Sequence, residues 1–292
     1  MAVVDLLVLL VLGALWGASF LFLRVAVPVL GPVSLIEARV LVAGLALLAV
    51  GLALRRLPDV RRDAGRFLTL GALSAAAPFT LIAAAELRLT ASLAAILNAT
   101  TPLFALGLAA IRLREPLSHR RLAGVLLGVA GVAVLVGLGP LHLDGALVLA
   151  TAASLLAALF YALGGVYAKT HFADRPPLVT ATGQQLGAAV LLLLPSLALP
   201  PRHPANSHVV LGVLTLALAC TALGFALFYR LVNRVGPTGA LTVAFLWGAV
   251  FLHEPLTWST PAGLLLILGA ITLVTDIHLP ARCRPARPPL RS

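Results

Sequence analysis

Long, nearly continuous runs of apolar residues divide the chain into ten segments, separated by short stretches that contain arginine, glycine and proline. An α-helix needs about 20 predominantly apolar residues to cross a hydrocarbon core of roughly 30 Å. Most of the runs come close to that length. The pattern therefore predicts ten membrane-spanning segments, at Val3–Leu23, Val33–Leu54, Phe67–Leu87, Thr90–Ile111, Leu122–Leu138, Gly145–Tyr167, Leu178–Leu199, His208–Tyr229, Thr238–Leu252 and Pro261–Thr275.

The runs predict helices rather than strands. Their apolar residues follow one another without polar alternation, and a strand of a membrane barrel needs only about 10 residues. Alanine and leucine dominate the runs, and both favour helices. A helix also satisfies its own backbone hydrogen bonds in lipid. We therefore predict an all-α polytopic membrane protein, whose first run is a membrane helix and not a signal peptide, because no basic residues precede it.

Composition agrees with a membrane protein. Hydrophobic residues make up 61% of the 292 residues and charged residues 11%, with a mean hydropathy of +1.06, whereas soluble proteins carry about 25% charged residues. These values exclude a soluble enzyme, a disordered tail protein and a disulfide-rich secreted module. The net charge of +11 would suggest nucleic acid if the charges formed one face. Here the charges are scattered between apolar runs, so we expect no nucleic-acid partner.

The distribution of basic residues predicts the orientation in the membrane. If the N-terminus is cytoplasmic, all but four of the 21 basic residues fall in cytoplasmic segments or in the C-terminal tail. Arg24, Arg88 and Arg202 fall outside, and Arg39 lies within a span. Cytoplasmic loops are enriched in arginine and lysine. We therefore expect a multi-pass protein of the cell membrane with both termini in the cytoplasm.

An internal repeat is visible around two Glu-Pro-Leu motifs. Residues 112–118 (RLREPLS) match residues 251–257 (FLHEPLT), and both precede a helix rich in glycine and leucine. The two glutamates, Glu115 and Glu254, are 139 positions apart, as are Gly124 and Gly263. Such self-similarity indicates duplication. We predict a five-helix repeat at 1–138, a second at 139–275 and a basic cytoplasmic tail at 276–292. Because five is odd, the second repeat would be inverted, an arrangement that builds transporters with a site near the membrane midplane.

Several motifs in a fixed order resemble one known family. They are Leu15-Trp16-Gly17-Ala18-Ser19-Phe20, Glu37-Ala38-Arg39, Leu89-Thr90-Ala91-Ser92-Leu93-Ala94-Ala95 running into Thr101-Pro102-Leu103-Phe104, Arg114-Glu115-Pro116-Leu117, Arg234-Val235-Gly236-Pro237-Thr238 and His253-Glu254-Pro255-Leu256. Over nearly its whole length the chain resembles the EamA-type permeases of the drug/metabolite transporter superfamily. The resemblance implies ten helices, cytoplasmic termini, and export or uptake of small metabolites.

The second half departs from the family pattern at the ninth run. Thr90 and Glu115 are 25 positions apart and enclose Pro102, whereas Thr238 and Glu254 are 16 positions apart and enclose no proline. The ninth run is therefore shorter than the hydrocarbon core requires, although local thinning of the bilayer could accommodate it. The alternative is that the chain is an impaired or non-transporting paralogue, or an assembly partner of another protein.

Polar residues within the spans are the candidate substrate-binding residues, because a charge there costs about 2.5–3.5 kcal/mol on insertion scales. Glu37 and Arg39 are either a cavity-lining pair that meets a polar substrate or a coupling proton, or an interfacial residue beside a buried arginine satisfied by backbone carbonyls. The family resemblance favours the cavity for Arg39. The full set of candidates is Trp16, Glu37, Arg39, Asn98, Thr101, Gln184 and Gln185.

Each of the remaining candidates has a structural alternative. Asn98 and Thr101 precede Pro102, which frees a backbone carbonyl, and broken helices form polar sites at membrane depth. Gln184 and Gln185 would line the cavity or form interhelical hydrogen bonds. Trp16 would stack on a substrate or pack against the second half. Tyr229 is predicted to anchor the chain at the cytoplasmic interface.

Motifs for other chemistries are missing from the sequence. There is no Gly-Lys-Ser/Thr phosphate loop, and Thr257 stands where a zinc protease would place its second histidine after His253. Cys220 and Cys283 suggest neither a disulfide framework nor a metal site. We expect no cofactor, no metal and no enzyme activity. The sequence predicts a secondary transporter, an exporter of small metabolites or drug-like compounds that alternates access between its two repeats, with proton exchange as the coupling reaction.

Overall fold

The computed structural model describes residues 3–113, 118–138, 144–231 and 258–274, and the described chain is helical, with no strand in these ranges. We number the helices in chain order: α1 Val3–Leu30, α2 Pro32–Ala53, α3 Val60–Gly71 continued by the π-helical Ala72–Ala76 and by Ala77–Ala85, α4 Ala91–Asn98 and Thr101–Leu113, α5 His119–Gly137, α6 Gly145–His171, α7 Pro177–Ala198, α8 Ser207–Thr215 continued by the π-helical Leu216–Leu223 and by Gly224–Leu231, and α9 Ser259–Val274.

The prediction of an all-α membrane protein is confirmed. Helices α1 to α8 are each long and apolar enough to cross a membrane, and α9 is a shorter apolar helix. Nine of the ten apolar runs correspond to these helices. The ninth run, Thr238–Leu252, lies outside the described residues, as do Glu115 and Glu254 of the repeated motif.

Side-chain caps explain where several helices begin. The carboxylate of Asp59 accepts a hydrogen bond from the Arg62 backbone N–H at the start of α3, and Asp144 does the same for Leu147 in α6. Thr90, Ser118 and Asn206 cap α4, α5 and α8 in the same way. Such caps satisfy backbone N–H groups that have no partner within the helix.

Two predicted helix boundaries were wrong. Helix α1 ends at Leu30 instead of Leu23, because Arg24 does not leave the bundle: its guanidinium donates hydrogen bonds to the backbone carbonyls of Glu86 and Leu89. The chain turns at Gly31, whose φ of 76° is readily adopted only by glycine. Helix α3 begins at Val60 instead of Phe67. Its first turns carry charged residues, so they are helical but do not belong to the apolar run from which the boundary was predicted.

Helix α7 packs against α2, α3 and α8, and helix α5 packs against α9. Glycines bring the second pair close together: a Cβ on Gly263 would lie 3.0 Å from the Gly131 carbonyl oxygen. Such small residues let membrane helices approach, as is typical where van der Waals packing drives association.

Helices α2 and α7 correspond in length and position within the chain. Each has 22 residues and begins with a proline, Pro32 and Pro177, which are 145 positions apart (177 minus 32). The spans Arg62–Ala85 in α3 and Ser207–Arg230 in α8 have the same separation, and both contain a π-helical segment. Helix α2 packs against the π-helical segment of α8, and α7 packs against that of α3.

Candidate functional site

Arg39 lies in the middle of a helix-to-helix contact, with only 3% of its surface exposed. Its Nε donates a hydrogen bond of 2.7 Å to the Thr221 hydroxyl, and its Cζ lies 3.8 Å from the centroid of the Phe79 ring. A charge at membrane depth needs such partners, because desolvation without them is costly. A hydroxyl group and an aromatic face thus contact the Arg39 guanidinium.

The position of Thr221 depends on the π-helical segment of α8. The Thr221 hydroxyl donates a hydrogen bond of 2.8 Å to the carbonyl of Leu216, five residues earlier. Since a hydroxyl oxygen can donate one hydrogen bond and still accept others, Thr221 meets the helix backbone and Arg39 at the same time. Single-turn π-helices often occur at functional sites.

Aromatic side chains extend from Arg39 across the bundle. We call Trp16, Phe79, Tyr161, Phe225, Phe228 and Tyr229 the aromatic cluster. The ring of Phe79 lies 6.1 Å from Phe225, and Trp16 lies 5.6 Å from Phe225 and 5.2 Å from Phe228, measured between centroids. Gly224 makes room for the indole, since a Cβ there would lie 2.8 Å from Trp16 Nε1.

Gln184 joins the other side of the aromatic cluster. Its side chain is fully buried and accepts a hydrogen bond from the Tyr229 hydroxyl, while its Nε2 makes a long contact of 3.5 Å with the carbonyl of Ser74 in α3. The Tyr229 ring lies 6.1 Å from Phe225. The prediction that Tyr229 anchors the chain at the membrane interface was wrong, because its side chain is buried and points at Gln184.

Arg39 and Gln184 occupy the same place in corresponding helices. Each stands seven residues after the proline that begins its helix. Arg39 contacts the π-helical segment of α8 through Thr221, and Gln184 contacts the π-helical segment of α3 through Ser74. A pair of polar side chains is therefore held between two pairs of helices in a similar way.

The structure brings Trp16, Arg39 and Gln184 together and places Glu37 elsewhere. Residues two positions apart in a helix point about 200° apart, so Glu37 faces away from Arg39. Its side chain is 7% exposed, and its Oε2 has no hydrogen-bond partner among the described residues. It lines a groove of about 470 Å³ between α2, α3 and α7.

The remaining predicted residues are polar side chains of α4 and α7, of which Gln185 is buried and Asn98 and Thr101 are half-buried. Thr101 donates a hydrogen bond of 2.7 Å to the Asn98 carbonyl, where α4 is interrupted before Pro102, so the predicted break in this helix is confirmed. Asn98 Oδ1 and both amide atoms of Gln185 are buried without a partner in the part of the chain that the structure describes. In the same ranges, no three histidine, cysteine, aspartate or glutamate residues lie close enough to hold a metal ion.

Sequence reasoning missed Thr221, Phe79 and Phe225. Each lies in an apolar run, where a threonine or phenylalanine costs little and attracts no attention. A search for a hydroxyl residue that could meet Arg39 would have pointed to Thr221, since few polar residues occur in the eighth run.

Comparison with known proteins agrees with this architecture. A model of the family described as "EamA-like transporter family" matches residues 4–137 and again residues 148–276. Protein PecM of Dickeya dadantii (strain 3937) is 28% identical over 287 residues, which cover 94% of this chain and 93% of that protein. A protein of Streptantibioticus cattleyicolor named "Probable terminal-alkyne amino-acid exporter" is 31% identical over 252 residues, 80% of this chain and 81% of that protein.

A solved crystal structure has the same fold. It is 21% identical in sequence, covers 93% of this chain and 96% of its own, and superposes with a TM-score of 0.66. At this identity the likeness concerns the fold alone.

Proposed function

Since the chain belongs to the EamA-like transporter family, we propose that this multi-pass membrane permease is a secondary transporter that exports small metabolites by alternating access between its two halves. The family model matches the chain twice, and each match contains one helix of the α2–α7 pair. The proposed arrangement has five helices in each half, the second half inverted, with both termini in the cytoplasm.

The buried guanidinium of Arg39 carries this proposal. It lies between helix α2 of the first match and helix α8 of the second. Charged side chains within membrane spans are rare and usually mark a binding site or pathway for a polar substrate or ion. Alternating access in repeat transporters moves one half against the other around a central site. A charged side chain that bridges the halves can change its contacts when the protein switches between its inward-open and outward-open states.

The chemistry of the site favours an amphipathic acid as substrate. Arginine pairs well with carboxylates, and the aromatic cluster offers an apolar surface beside it. The relative named as a terminal-alkyne amino-acid exporter supports this choice of substrate class. We propose that Arg39 binds the carboxylate, that Trp16 and Phe79 contact the apolar part, and that Gln184 binds a polar group, with Asn98, Thr101 and Gln185 as further polar contacts.

Transport into proteoliposomes tests this function. A panel of amino acids and short-chain carboxylates, including a terminal-alkyne amino acid, is first screened for ligands that raise the unfolding temperature in detergent. Uptake of a ligand found in this way is then measured for the parent, Arg39→Ala and Arg39→Lys. We expect Arg39→Ala to abolish uptake and Arg39→Lys to restore little of it. Uptake at the parent's rate in both variants would show that Arg39 is not the site.

A second candidate function rests on the short ninth run. If Thr238–Leu252 does not cross the membrane, the chain would be a non-transporting paralogue or an assembly partner. A C-terminal reporter that is active only in the cytoplasm separates the two. Activity supports ten crossings, and an inactive reporter on a well-expressed fusion supports the second candidate.

A further inference from the structure

The groove between α2, α3 and α7 arises from the way in which α2 and α3 pack on α7. A Cβ on Gly183 would lie 2.1 Å from the Phe67 ring, and one on Gly187 would lie 2.4 Å from the Phe67 carbonyl oxygen. These glycines let α3 lie directly on α7 near Phe67. Helix α2 packs on α7 elsewhere, with Gly44 against Leu186, so a strip of α7 between α2 and α3 remains uncovered.

Glu37 lies at one end of this groove. Helices α2 and α7 are antiparallel, because Ser34 donates a hydrogen bond to the Leu199 carbonyl while Gly44 lies against Leu186. Glu37 is therefore level with the Leu193 end of the groove, and Phe67 and Gly183 form the other end. From Gly183 to Leu193 the groove follows about 15 Å of helix at 1.5 Å per residue.

Apart from Glu37, the groove is apolar and opens on the outer surface of the bundle. Leu41, Val190 and Leu193 line it and are exposed, so in a membrane protein they face lipid. The volume of about 470 Å³ falls within the roughly 300–1,000 Å³ that small-molecule sites occupy. A ligand that enters here arrives from the membrane and brings an apolar chain.

The carboxylate determines the other end of the ligand. Glu37 is 7% exposed, and its Oε2 has no hydrogen-bond donor among the described residues. An unpaired buried carboxyl group is costly in an apolar setting. An ammonium group supplies both the opposite charge and the N–H donors that the oxygen lacks.

We propose that the groove between α2, α3 and α7 is a lateral binding site for a membrane-dissolved amphiphilic amine, whose ammonium group pairs with the Glu37 carboxylate and whose alkyl chain lies along α7. This site is separate from the Arg39 site and does not depend on the proposed transport activity. Occupancy is therefore measured by binding and not by uptake.

The experiment uses the full chain in phosphatidylcholine nanodiscs and radiolabelled decylamine as the probe. Three comparisons define the chemistry: decanol has the same chain without the charge, butylamine has the same head with a short chain, and phosphatidylethanolamine presents an ammonium on a lipid. We expect decylamine to bind at least ten times more tightly than decanol or butylamine. Added phosphatidylethanolamine should leave decylamine binding unchanged, and displacement by it would overturn the proposal in favour of a lipid.

Three variants locate the site. Glu37→Gln keeps the size of the side chain and removes its charge, and we expect it to weaken decylamine binding about tenfold without changing decanol binding. Val190→Trp fills the groove from its exposed rim and should abolish binding of decylamine. Leu194→Trp, at an even more exposed position of α7 that does not line the groove, is the matched control and should bind like the parent.

The proposal is overturned if Glu37→Gln binds decylamine like the parent, or if Val190→Trp and Leu194→Trp behave alike. Equal binding of decanol and decylamine by the parent would also overturn it, since the groove would then accept any lipid chain. Thermal unfolding and gel filtration of each variant confirm that the fold is kept before binding is compared.

Discussion

Arg39 Nε and Thr221 Oγ1 are 2.7 Å apart, and this hydrogen bond joins helix α2 to the π-helical segment of helix α8. The two helices belong to the separate stretches that the family model matches. Hydrogen bonds to charged groups are about twice as strong as those between neutral groups. The contact therefore holds the halves together at the depth where the candidate site lies, and its removal should affect both stability and transport.

Replacing Thr221 by valine tests this hydrogen bond. The change keeps the size of the side chain but leaves Arg39 Nε without its acceptor, so we expect a loss of about 1–3 kcal/mol in stability and a clear reduction in uptake. Thr215→Val is the matched control. Like Thr221, Thr215 donates a hydroxyl hydrogen bond to a carbonyl of α8, that of Leu211, but its hydroxyl is not the acceptor for Arg39. Thermal unfolding in detergent should separate the two variants, and equal unfolding temperatures would contradict the assignment.

The contact between Arg39 and the Phe79 ring supplies a second test. A planar guanidinium 3.8 Å from the ring centroid makes a cation–π contact, worth about 2 kcal/mol when it is desolvated. Phe79→Leu keeps an apolar side chain and removes the aromatic face, so we expect weaker ligand binding and lower stability in that variant. In an Arg39→Ala background, Phe79→Leu should reduce the stability by less than it does in the parent. If the stability losses of the two single variants add up to the loss of the double variant, the two side chains do not interact.

The hydrogen bond from the Tyr229 hydroxyl to Gln184 Oε1 holds the other polar side chain of the site. In Tyr229→Phe the buried amide oxygen loses its donor, which we expect to cost about 1–3 kcal/mol. Tyr167→Phe is the control, since the Tyr167 ring stacks on His171 and its half-buried side chain lies outside the aromatic cluster. Chemical unfolding followed by circular dichroism should show a loss for Tyr229→Phe alone.

The fold was predictable from the sequence to the extent that apolarity alone determines it. Nine apolar runs correspond to helices, and the break before Pro102 follows from the missing N–H of proline. The end of α1 was not predictable, because the carbonyls that receive Arg24 belong to residues 86 and 89 and come near only after folding. The π-helical segments leave no mark on hydrophobic patterning, since the runs are apolar on every face.

From the sequence, only those site residues were predictable whose charged or amide side chains are energetically costly to place within the membrane. Arg39 and Gln184 are conspicuous because a charge or an amide at membrane depth needs a reason. Their partners Thr221, Phe79 and Tyr229 are ordinary residues of membrane helices, and nothing in the sequence pairs them. Glu37 was grouped with Arg39 because the two are neighbours in sequence, whereas the helical turn sends them to opposite faces of α2.

Close packing of α6 on the π-helical segment of α3 gives a sharp test of the structure. A Cβ on Gly164 would lie 2.1 Å from Ser74 Oγ and 3.2 Å from the Leu73 carbonyl oxygen, whereas a Cβ on the adjacent Gly165 would meet nothing within 4 Å. We expect Gly164→Ala to destabilise the protein by about 1–3 kcal/mol through overpacking. Gly165→Ala should be neutral or slightly stabilising, because alanine favours helix. A similar unfolding temperature for both variants would contradict the placement of α6.

The proposed inversion of the second half predicts that two equivalent positions lie on opposite sides of the membrane. His119 begins α5, Trp258 directly precedes α9, and their separation of 139 positions (258 minus 119) is that of the repeated Glu-Pro-Leu motifs. Both side chains are exposed, Trp258 by 90%. In a background with Cys220→Ala and Cys283→Ala, we expect a membrane-impermeant maleimide to label Trp258→Cys in intact bacteria. His119→Cys should react only after permeabilisation, because the distribution of basic residues predicts that this end of α5 lies in the cytoplasm. Labelling of both positions from one side would show that an even number of crossings separates them, which rules out two inverted five-helix halves.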